Sequence, residues 1–271
     1  MKIVQLTDLH LTRPGETVGG RDPNANLDRA LAHALEQHPD AETLVITGDL
    51  SDRGDRGDYE RLKGRLAGLP IPARLAIGNH DDRAAFLEVF PELADEDGHV
   101  QQAFELSRGT GLILDSWGPD SHAGFYCARR CAWLRRALAA TGGPAYLFIH
   151  HHPIPTHLVP MDRIILRDAE AFGAVVAEHR DKIAHIFFGH CHMPLAGSFH
   201  GVPVSAPRGT NHALFADFLE KERLLSSDLP ESYAVITVEG PSVTVLMQEY
   251  GYQGEVRAGG APYNPARDRA Q

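Results

Sequence analysis

Five short apolar segments of the chain each end in Asp, Asn or His, and this pattern constrains the fold more than any other feature. The segments are residues 2–7, 43–47, 74–77, 145–149 and 183–188. Short apolar runs rich in β-branched residues predict buried strands. Residues 26–37 and 131–140 have helical spacing, the first with Asn24 or Asn26 as its N-cap. Strands that alternate with helices predict a layered α/β fold.

The C-terminal part differs, because residues 195–250 are predicted to be mostly β. Residues 233–239 and 242–249 form a predicted hairpin around Gly240 and Pro241. No linker divides the chain, so we expect one domain over residues 1–250, with possible oligomer contacts in 195–250. Residues 251–271 are predicted to be a loosely held tail.

Charge and cysteine content narrow the function classes. The chain has 271 residues, with 26 Lys and Arg against 36 Asp and Glu, which gives a net charge of −10. Such an acidic balance disfavours long nucleic acids and anionic membrane surfaces as partners. The three cysteines, Cys127, Cys131 and Cys191, cannot form an even disulfide framework. With no signal-like or long apolar stretch, we expect a cytoplasmic protein without membrane contact.

Polar residues at the strand ends predict a metal site, because the carboxyl ends of strands in α/β sheets form the binding crevice. The candidate ligands are Asp8, His10, Asp49, Asn79, His151, His190 and His192. This donor set suits Mn, Fe, Zn or Co better than Ca or Cu(I). Seven donors are too many for one ion and suit two that share a carboxylate, an arrangement that catalyses displacement at phosphorus.

The spacing of two residues within Asp8-Leu9-His10 and His190-Cys191-His192 carries a local prediction. An extended backbone would place the outer residues of each triplet on one side and Cys191 on the other.

The order of the motifs resembles that of the calcineurin-like metallophosphoesterase superfamily. The motifs are Asp8-Leu9-His10, Gly48-Asp49, Gly78-Asn79-His80-Asp81, the histidines before Pro153, and Gly189-His190-Cys191-His192. The resemblance spans residues 3 to 212. Residues 78–82 and 209–212 are similar to the bacterial branch of class III cyclic-nucleotide phosphodiesterases and glycerophosphodiesterases. The resemblance to the superfamily implies a four-layer α/β/β/α sandwich of two mixed sheets, with a dimetal site at the strand C-terminal ends.

The resemblance also implies a role for each site residue. One metal would be held by Asp8, His10 and His192, the other by Asn79, His151 and His190, with Asp49 bridging. His151 is selected among three consecutive histidines because the family ligand lies two residues before the proline. His80 matches the catalytic or substrate-orienting histidine of the family. Asp81 is the second candidate catalytic residue, placed either to hold the ring of His80 or to support the metal ligands from behind. The implied substrate-binding residues are His212, His152 and Arg208.

The expected activity is hydrolysis of small phosphodiesters, either cyclic nucleotides or glycerophosphodiesters, by a metal-activated hydroxide. Two alternatives stay open: a phosphomonoesterase with the same metal core, and a metal-bound scaffold without catalysis. Residues 12–23, 157–167 and 212–230 are expected to form the pocket walls. The resemblance also implies a homo-oligomer.

Overall fold

The computed structural model of the protein describes residues 1–259, which contain thirteen strands and six α-helices. The strands are β1 (Lys2–Leu6), β2 (Thr43–Thr47), β3 (Ala73–Ala76), β4 (Gln102–Leu106), β5 (Gly109–Leu114), β6 (Ala145–Ile149), β7 (Ile183–Phe187), β8 (Leu195–Phe199), β9 (Val202–Ala206), β10 (Ala213–Phe215), β11 (Leu225–Ser227), β12 (Ser232–Glu239) and β13 (Ser242–Glu249). The helices are α1 (Pro23–Gln37), α2 (Arg56–Leu66), α3 (Arg83–Val89), α4 (Ala128–Ala140), α5 (Val159–Asp162) and α6 (Ala169–Glu178), and a 3-10 turn covers Pro91–Leu93.

The strands form two large mixed sheets. The first has the order β13-β12-β1-β2-β3, and the second has the order β4-β5-β6-β7-β9-β8. In the first sheet β1, β2 and β3 run parallel, and β12 pairs antiparallel with β1. In the second, β5, β6, β7 and β9 run parallel. The parallel strands therefore end at common edges, where the predicted ligands follow them.

Three apolar clusters separate four layers. Side chains of α1, α2 and α3 pack on one face of the first sheet, and those of α4 and α6 pack on one face of the second. A third cluster, with Ile3, Val45, Phe148 and Phe187, lies between the sheets. The predicted α/β/β/α sandwich is confirmed.

A buried glutamine joins the two sheets beneath their strand ends. The Nε2 of Gln5 donates to Thr47 Oγ1 at 3.1 Å within the first sheet and to the carbonyl oxygen of Phe188 at 3.0 Å beside the second. Gln5 is fully buried, so both bonds form away from water. They hold the ends of β1, β2 and β7 together at the seam where the site lies.

The sequence placed most elements correctly but misjudged one cap. Helix α1 begins after Asp22, whose carboxylate accepts from the backbone N–H groups of Asn24 and Ala25. Pro23 occupies the first helical position, where its missing N–H costs nothing. The prediction of Asn24 or Asn26 as the N-cap was wrong, because both residues lie inside the helix.

The C-terminal part is largely β, as expected, and it includes the unpredicted strand β8 and the two-stranded sheet of β10 and β11. The hairpin of β12 and β13 completes the first sheet. Of the predicted tail, residues 260–271 lie outside the described residues. Within residues 1–259, no helix combines the length and apolar character needed to cross a membrane.

Candidate dinuclear metal site

Five of the predicted ligands have a left-handed backbone. The φ angles are 56° at Asp8, 49° at His10, 49° at Asp49, 67° at His190 and 49° at His192. Positive φ is uncommon outside glycine and concentrates at functional sites. The extended backbone expected for the two triplets is therefore wrong. The prediction that Cys191 points away holds, because Cys191 lies in the core beneath α4 and α6.

The first group of donors contains Asp8, His10, Asp49 and His192, all of them buried. The Nε2 atoms of His10 and His192 lie 3.2 Å apart. His192 Nε2 is 3.4 Å from Asp8 Oδ1, and His10 Nε2 is 3.7 Å from Asp49 Oδ2. Four donor atoms from three strand ends thus surround one position.

The second group contains His150, Asn79 and His190. Nε2 of His150 lies 3.1 Å from Asn79 Oδ1 and 3.2 Å from His190 Nδ1. The same Nε2 is 3.4 Å from Asp49 Oδ2. Oδ2 of Asp49 therefore faces both groups, while Oδ1 accepts from the backbone N–H of His80 at 2.9 Å. This geometry fits the predicted bridging position of Asp49.

The opposite nitrogen of each ligand ring contacts an oxygen of the chain. His150 Nδ1 donates to the carbonyl of Thr47 at 2.8 Å, His192 Nδ1 to that of His212 at 3.1 Å, and His190 Nε2 to that of Ile164 at 3.0 Å. His10 Nδ1 lies 3.1 Å from Asp52 Oδ1. Such outer bonds fix the orientation and tautomer of metal-binding histidines.

Each outer nitrogen carries the ring proton, so the inner nitrogen of a neutral ring has only a lone pair. The inner nitrogens of His10 and His192 lie 3.2 Å apart, which requires a proton or a cation between them. Two further facts favour a cation. Asp8 and Asp49 are buried carboxylates, and buried charges must be paired. The donor set of carboxylate, imidazole and amide oxygen is the one that divalent transition metals bind. The residues present therefore fit two metal ions.

Burial and charge set the pKa values around the shared carboxylate. Burial by itself would raise the pKa of Asp49, but the imidazoles of His150, His80 and His10 hold it well below its usual range. Burial disfavours the charged form of His150, yet the charge of Asp49 raises the pKa of His150 to about 9. Burial and the neighbouring His10 lower the pKa of His192 to about 3. Asp49 thus concentrates negative charge between the two groups.

The predicted ligand His151 lies beside the second group, since one of its ring nitrogens is within 4.8 Å of nitrogens of His150 and His190. Only His150, however, has a nitrogen close to both Asn79 and Asp49, so His150 is the better candidate ligand. In β6, Tyr146 and Phe148 face the other sheet, whereas Leu147 and Ile149 face the helices. His150 lies on the same side of the chain as Tyr146 and Phe148, so its side chain reaches the donor groups between the two sheets. The Nδ1 of His151 instead lies 2.7 Å from Ser116 Oγ, while its ring packs 4.6 Å from that of His190, between centroids. Strand alternation, rather than the distance to Pro153, decides which histidine points inward.

His80 lies at the site, but Asp81 does not hold its ring. His80 Nδ1 donates to the carbonyl of Asp52 at 2.9 Å, so Nε2 is the nitrogen left for chemistry. The buried carboxylate of Asp81 instead accepts from the backbone N–H groups of Gly78, Leu50 and Ser51. It also accepts from the hydroxyl of Tyr59. Asp81 therefore ties the loops after β2 and β3 together, and these loops carry Asp49 and Asn79. Of its two predicted roles, the contact with the ring of His80 was wrong, and support of the ligands from behind stays a prediction.

Of the three predicted substrate-binding residues, the structure brings only His212 to the open site. The His212 ring lies 4.3 Å from that of His192 and 5.1 Å from that of His10, between ring centroids. Arg208 turns to the C-terminal hairpin, where Nη1 bonds the carbonyl of Pro230 and lies 3.2 Å from Glu249 Oε1. His152 is fully buried against the ring of His190. Neither Arg208 nor His152 lines the cavity.

The site opens into a cavity of about 590 Å³. Its floor includes His10, Asp49, Asn79 and His190, and its walls are Val18, His122, Pro160, Arg163, Ile164, His212, Leu214, Glu222, Arg223 and Leu224. Each of the three predicted wall segments contributes to this lining. His122 was missed, because an isolated histidine in the loop after β5 carries no motif that could have identified it.

A four-layer sandwich whose strand ends form two donor groups with one shared carboxylate defines a dinuclear metallohydrolase. The family model "Calcineurin-like phosphoesterase" matches residues 1–194, so the chain belongs to the calcineurin-like phosphoesterase family. The resemblance stated from the motifs is thereby confirmed.

Three bacterial relatives have names that specify an activity. A protein of Rhodopseudomonas palustris named probable cyclic nucleotide phosphodiesterase is 36% identical over 259 residues, covering 94% of each chain. The 3′,5′-cyclic adenosine monophosphate phosphodiesterase of Pseudomonas aeruginosa is 29% identical and covers 70% of this chain and 69% of its own. A glycerophosphodiester phosphodiesterase of Enterobacter lignolyticus is also 29% identical, with 71% of each chain covered.

Solved structures show the same fold at low identity. A dimetal phosphatase of Danio rerio superposes with a TM-score of 0.67 at 14% identity, covering 92% of this chain and 99% of its own. A purple acid phosphatase of yellow lupin superposes with a TM-score of 0.65 at 12% identity, covering 95% and 52%.

Proposed function

We propose that the protein is a phosphodiesterase with two divalent metal ions, one in each donor group. The observation that carries the proposal is the position of Asp49 Oδ2 between His10 and His150, with every ligand ring held from behind by the chain. Asp8, His10 and His192 would hold one ion, and Asn79, His150 and His190 the other, with Asp49 bridging. Mn, Fe, Zn and Co all suit this donor set.

When bound, two such ions polarise the phosphoryl oxygens and lower the pKa of water. The chain supplies the remaining functions. His80 lines the cavity, and the bond from its Nδ1 to Asp52 leaves Nε2 to stabilise or protonate the leaving oxygen. His212 lines the same cavity beside His10 and His192, where it can contact the substrate.

The shape of the cavity favours a phosphodiester over a phosphomonoester. Beyond the metal donors, Val18, Ile164, Leu214 and Leu224 line an apolar wall, and the charged residues Arg163, Glu222 and Arg223 complete it. A monoester has one organic group, whereas a diester has two, and this wall provides room for the second. The names of the relatives support small phosphodiesters, either cyclic nucleotides or glycerophosphodiesters.

The test compares two chromogenic substrates. The purified chain is stripped of metal, reloaded with Mn²⁺ and assayed with bis(p-nitrophenyl) phosphate and p-nitrophenyl phosphate. We expect faster turnover of the diester, loss of activity on chelation, and a decrease of about 100-fold or more in His80→Ala. His33→Ala, at a position outside the cavity lining, is the matched histidine control.

Each of the other outcomes selects a different function. Faster turnover of the monoester would replace the proposal with a phosphomonoesterase on the same metal core. Absence of turnover with two Mn²⁺ bound would favour the scaffold. The homo-oligomer and the cytoplasmic location stay predictions. Phe215, Phe218 and Leu224 are exposed in the region where oligomer contacts were expected.

A further inference from the structure

The side chain of His122 contacts one of the proposed metal ligands from outside the cluster. Its Nδ1 lies 2.9 Å from Asn79 Nδ2, while Oδ1 of the same amide lies 3.1 Å from His150 Nε2. The two ends of the Asn79 amide therefore have different neighbours. Only the oxygen end can bind a cation, so the direction of the amide decides whether Asn79 is a ligand.

An amide nitrogen is only a donor, so His122 Nδ1 must be the acceptor in this bond. The proton of a neutral His122 ring then lies on Nε2. The opposite tautomer, with a proton on Nδ1, would attract Asn79 Oδ1 instead and turn the nitrogen toward the second donor group. The tautomer of His122 and the direction of the Asn79 amide are thus coupled.

The backbone around His122 is held in place. Gly124 N–H donates to the carbonyl of Ile165 at 3.2 Å, and Arg167 N–H donates to the carbonyl of Gly124 at 2.9 Å. Phe125 N–H donates to the carbonyl of Ser116 at 2.9 Å. These bonds fix the loop at the cavity rim, so the acceptor on His122 is presented from a fixed position.

We propose that His122 is a positioning residue for the second metal: its Nδ1 accepts from Asn79 Nδ2 and keeps Asn79 Oδ1 directed into the donor group. The inference rests on the dinuclear site proposed above. It predicts that the effect is confined to one of the two metals, because the ligands Asp8, His10 and His192 make no contact with the His122 side chain among the hydrogen bonds of residues 1–259.

The test measures metal binding rather than turnover. Metal-free wild type, His122→Phe and His122→Asn are titrated with Mn²⁺, and free Mn²⁺ is counted by electron paramagnetic resonance. Phe keeps the ring but has no acceptor, whereas Asn places an oxygen near the position of Nδ1. His122 is exposed, so neither substitution disturbs the core, and a thermal melt of each metal-free variant verifies this.

We expect two bound Mn²⁺ in wild type. Asn79 is a neutral ligand, so the second group should hold its ion more weakly than the first group, which contains Asp8. In His122→Phe this weaker affinity should decrease by about 10-fold to 100-fold, with the tighter one unchanged, and His122→Asn should restore it to within about threefold. Unchanged affinities in His122→Phe would overturn the inference, and so would an equal loss in both variants. Fewer than two Mn²⁺ in wild type would instead overturn the proposed dinuclear function, and this inference with it.

Discussion

Each imidazole of the site is divided between two tasks, because one nitrogen bonds the chain and the other faces the donor groups. This division explains why neighbouring histidines are not interchangeable. His150 bonds Thr47 with one nitrogen and faces Asn79 and His190 with the other. His151, one residue later, bonds Ser116, and its Nε2 has no hydrogen-bond partner among the described residues.

At the residue scale, His150→Ala and His151→Ala should separate the two histidines. His150→Ala removes a ligand, so we expect one bound metal instead of two and a loss of turnover of about 100-fold or more. His151→Ala should retain two metals and lose about 1–3 kcal/mol of stability, because Ser116 Oγ loses a buried partner. Metal content after dialysis, measured by mass spectrometry, distinguishes them, and the reverse pattern would restore His151 as the ligand.

At the scale of elements, the strands place chemistry at their ends and also carry buried polar groups along their length. In β7, His185 Nε2 lies 2.8 Å from Ser205 Oγ of β9, and its ring stacks on Phe187 at 4.3 Å. Burial lowers the pKa of His185 to about 4. The folded protein therefore holds this ring neutral, away from the metal site.

This burial makes the stability of the second sheet depend on pH. The unfolded chain protonates His185 near pH 6.5, whereas the folded chain does so only near pH 4. Between these values the unfolded state binds more protons, so the free energy of unfolding falls as pH decreases. The loss from this group should reach about 3 kcal/mol below pH 4. In His185→Gln the total loss of stability between pH 6.5 and pH 4, measured by urea unfolding, should be smaller by about that amount, and an unchanged loss would refute the prediction.

The loops between the elements supply most of the cavity wall. Segments 157–167 and 212–230 are remote in sequence, yet Ile164 and Leu224 line the same cavity. These segments carry neither strand nor helix periodicity of useful length, so the sequence indicated that they form walls but not which side chains face inward. The contact of His122 with Asn79 was missed for the same reason.

At the scale of the whole molecule, the two sheets must be held in register for one site to form. Asp8 and Asp49 follow strands of the first sheet, whereas His150 and His190 follow strands of the second. The bond from Gln5 to the carbonyl of Phe188 crosses between the sheets beneath these residues. Neither sheet by itself contains a complete donor group.

The Gln5→Met variant tests this connection. Methionine has a similar volume but cannot donate, so the buried carbonyl of Phe188 would lose its partner, at a cost of about 1–3 kcal/mol. We expect lower stability in urea and weaker binding of both metals, since both groups draw on both sheets. The control is Gln248→Met on the edge strand β13, which removes a bond to His38 far from both donor groups in the fold and should leave metal binding unchanged. A Gln5→Met protein with unaltered metal binding would show that packing alone aligns the sheets.

The sequence by itself determined the strands that carry the site, the α/β class and six of the seven proposed ligands. It could do so because apolar runs and the polar residues that end them are local patterns. The tertiary structure decided which way the side chains at the strand ends point. Alternation in β6 turns His150 rather than His151 inward, and backbone bonds to Asp81 remove it from the reacting face. Side-chain direction at the end of a strand is set by neighbours remote in sequence, and these become neighbours only when the two sheets pack.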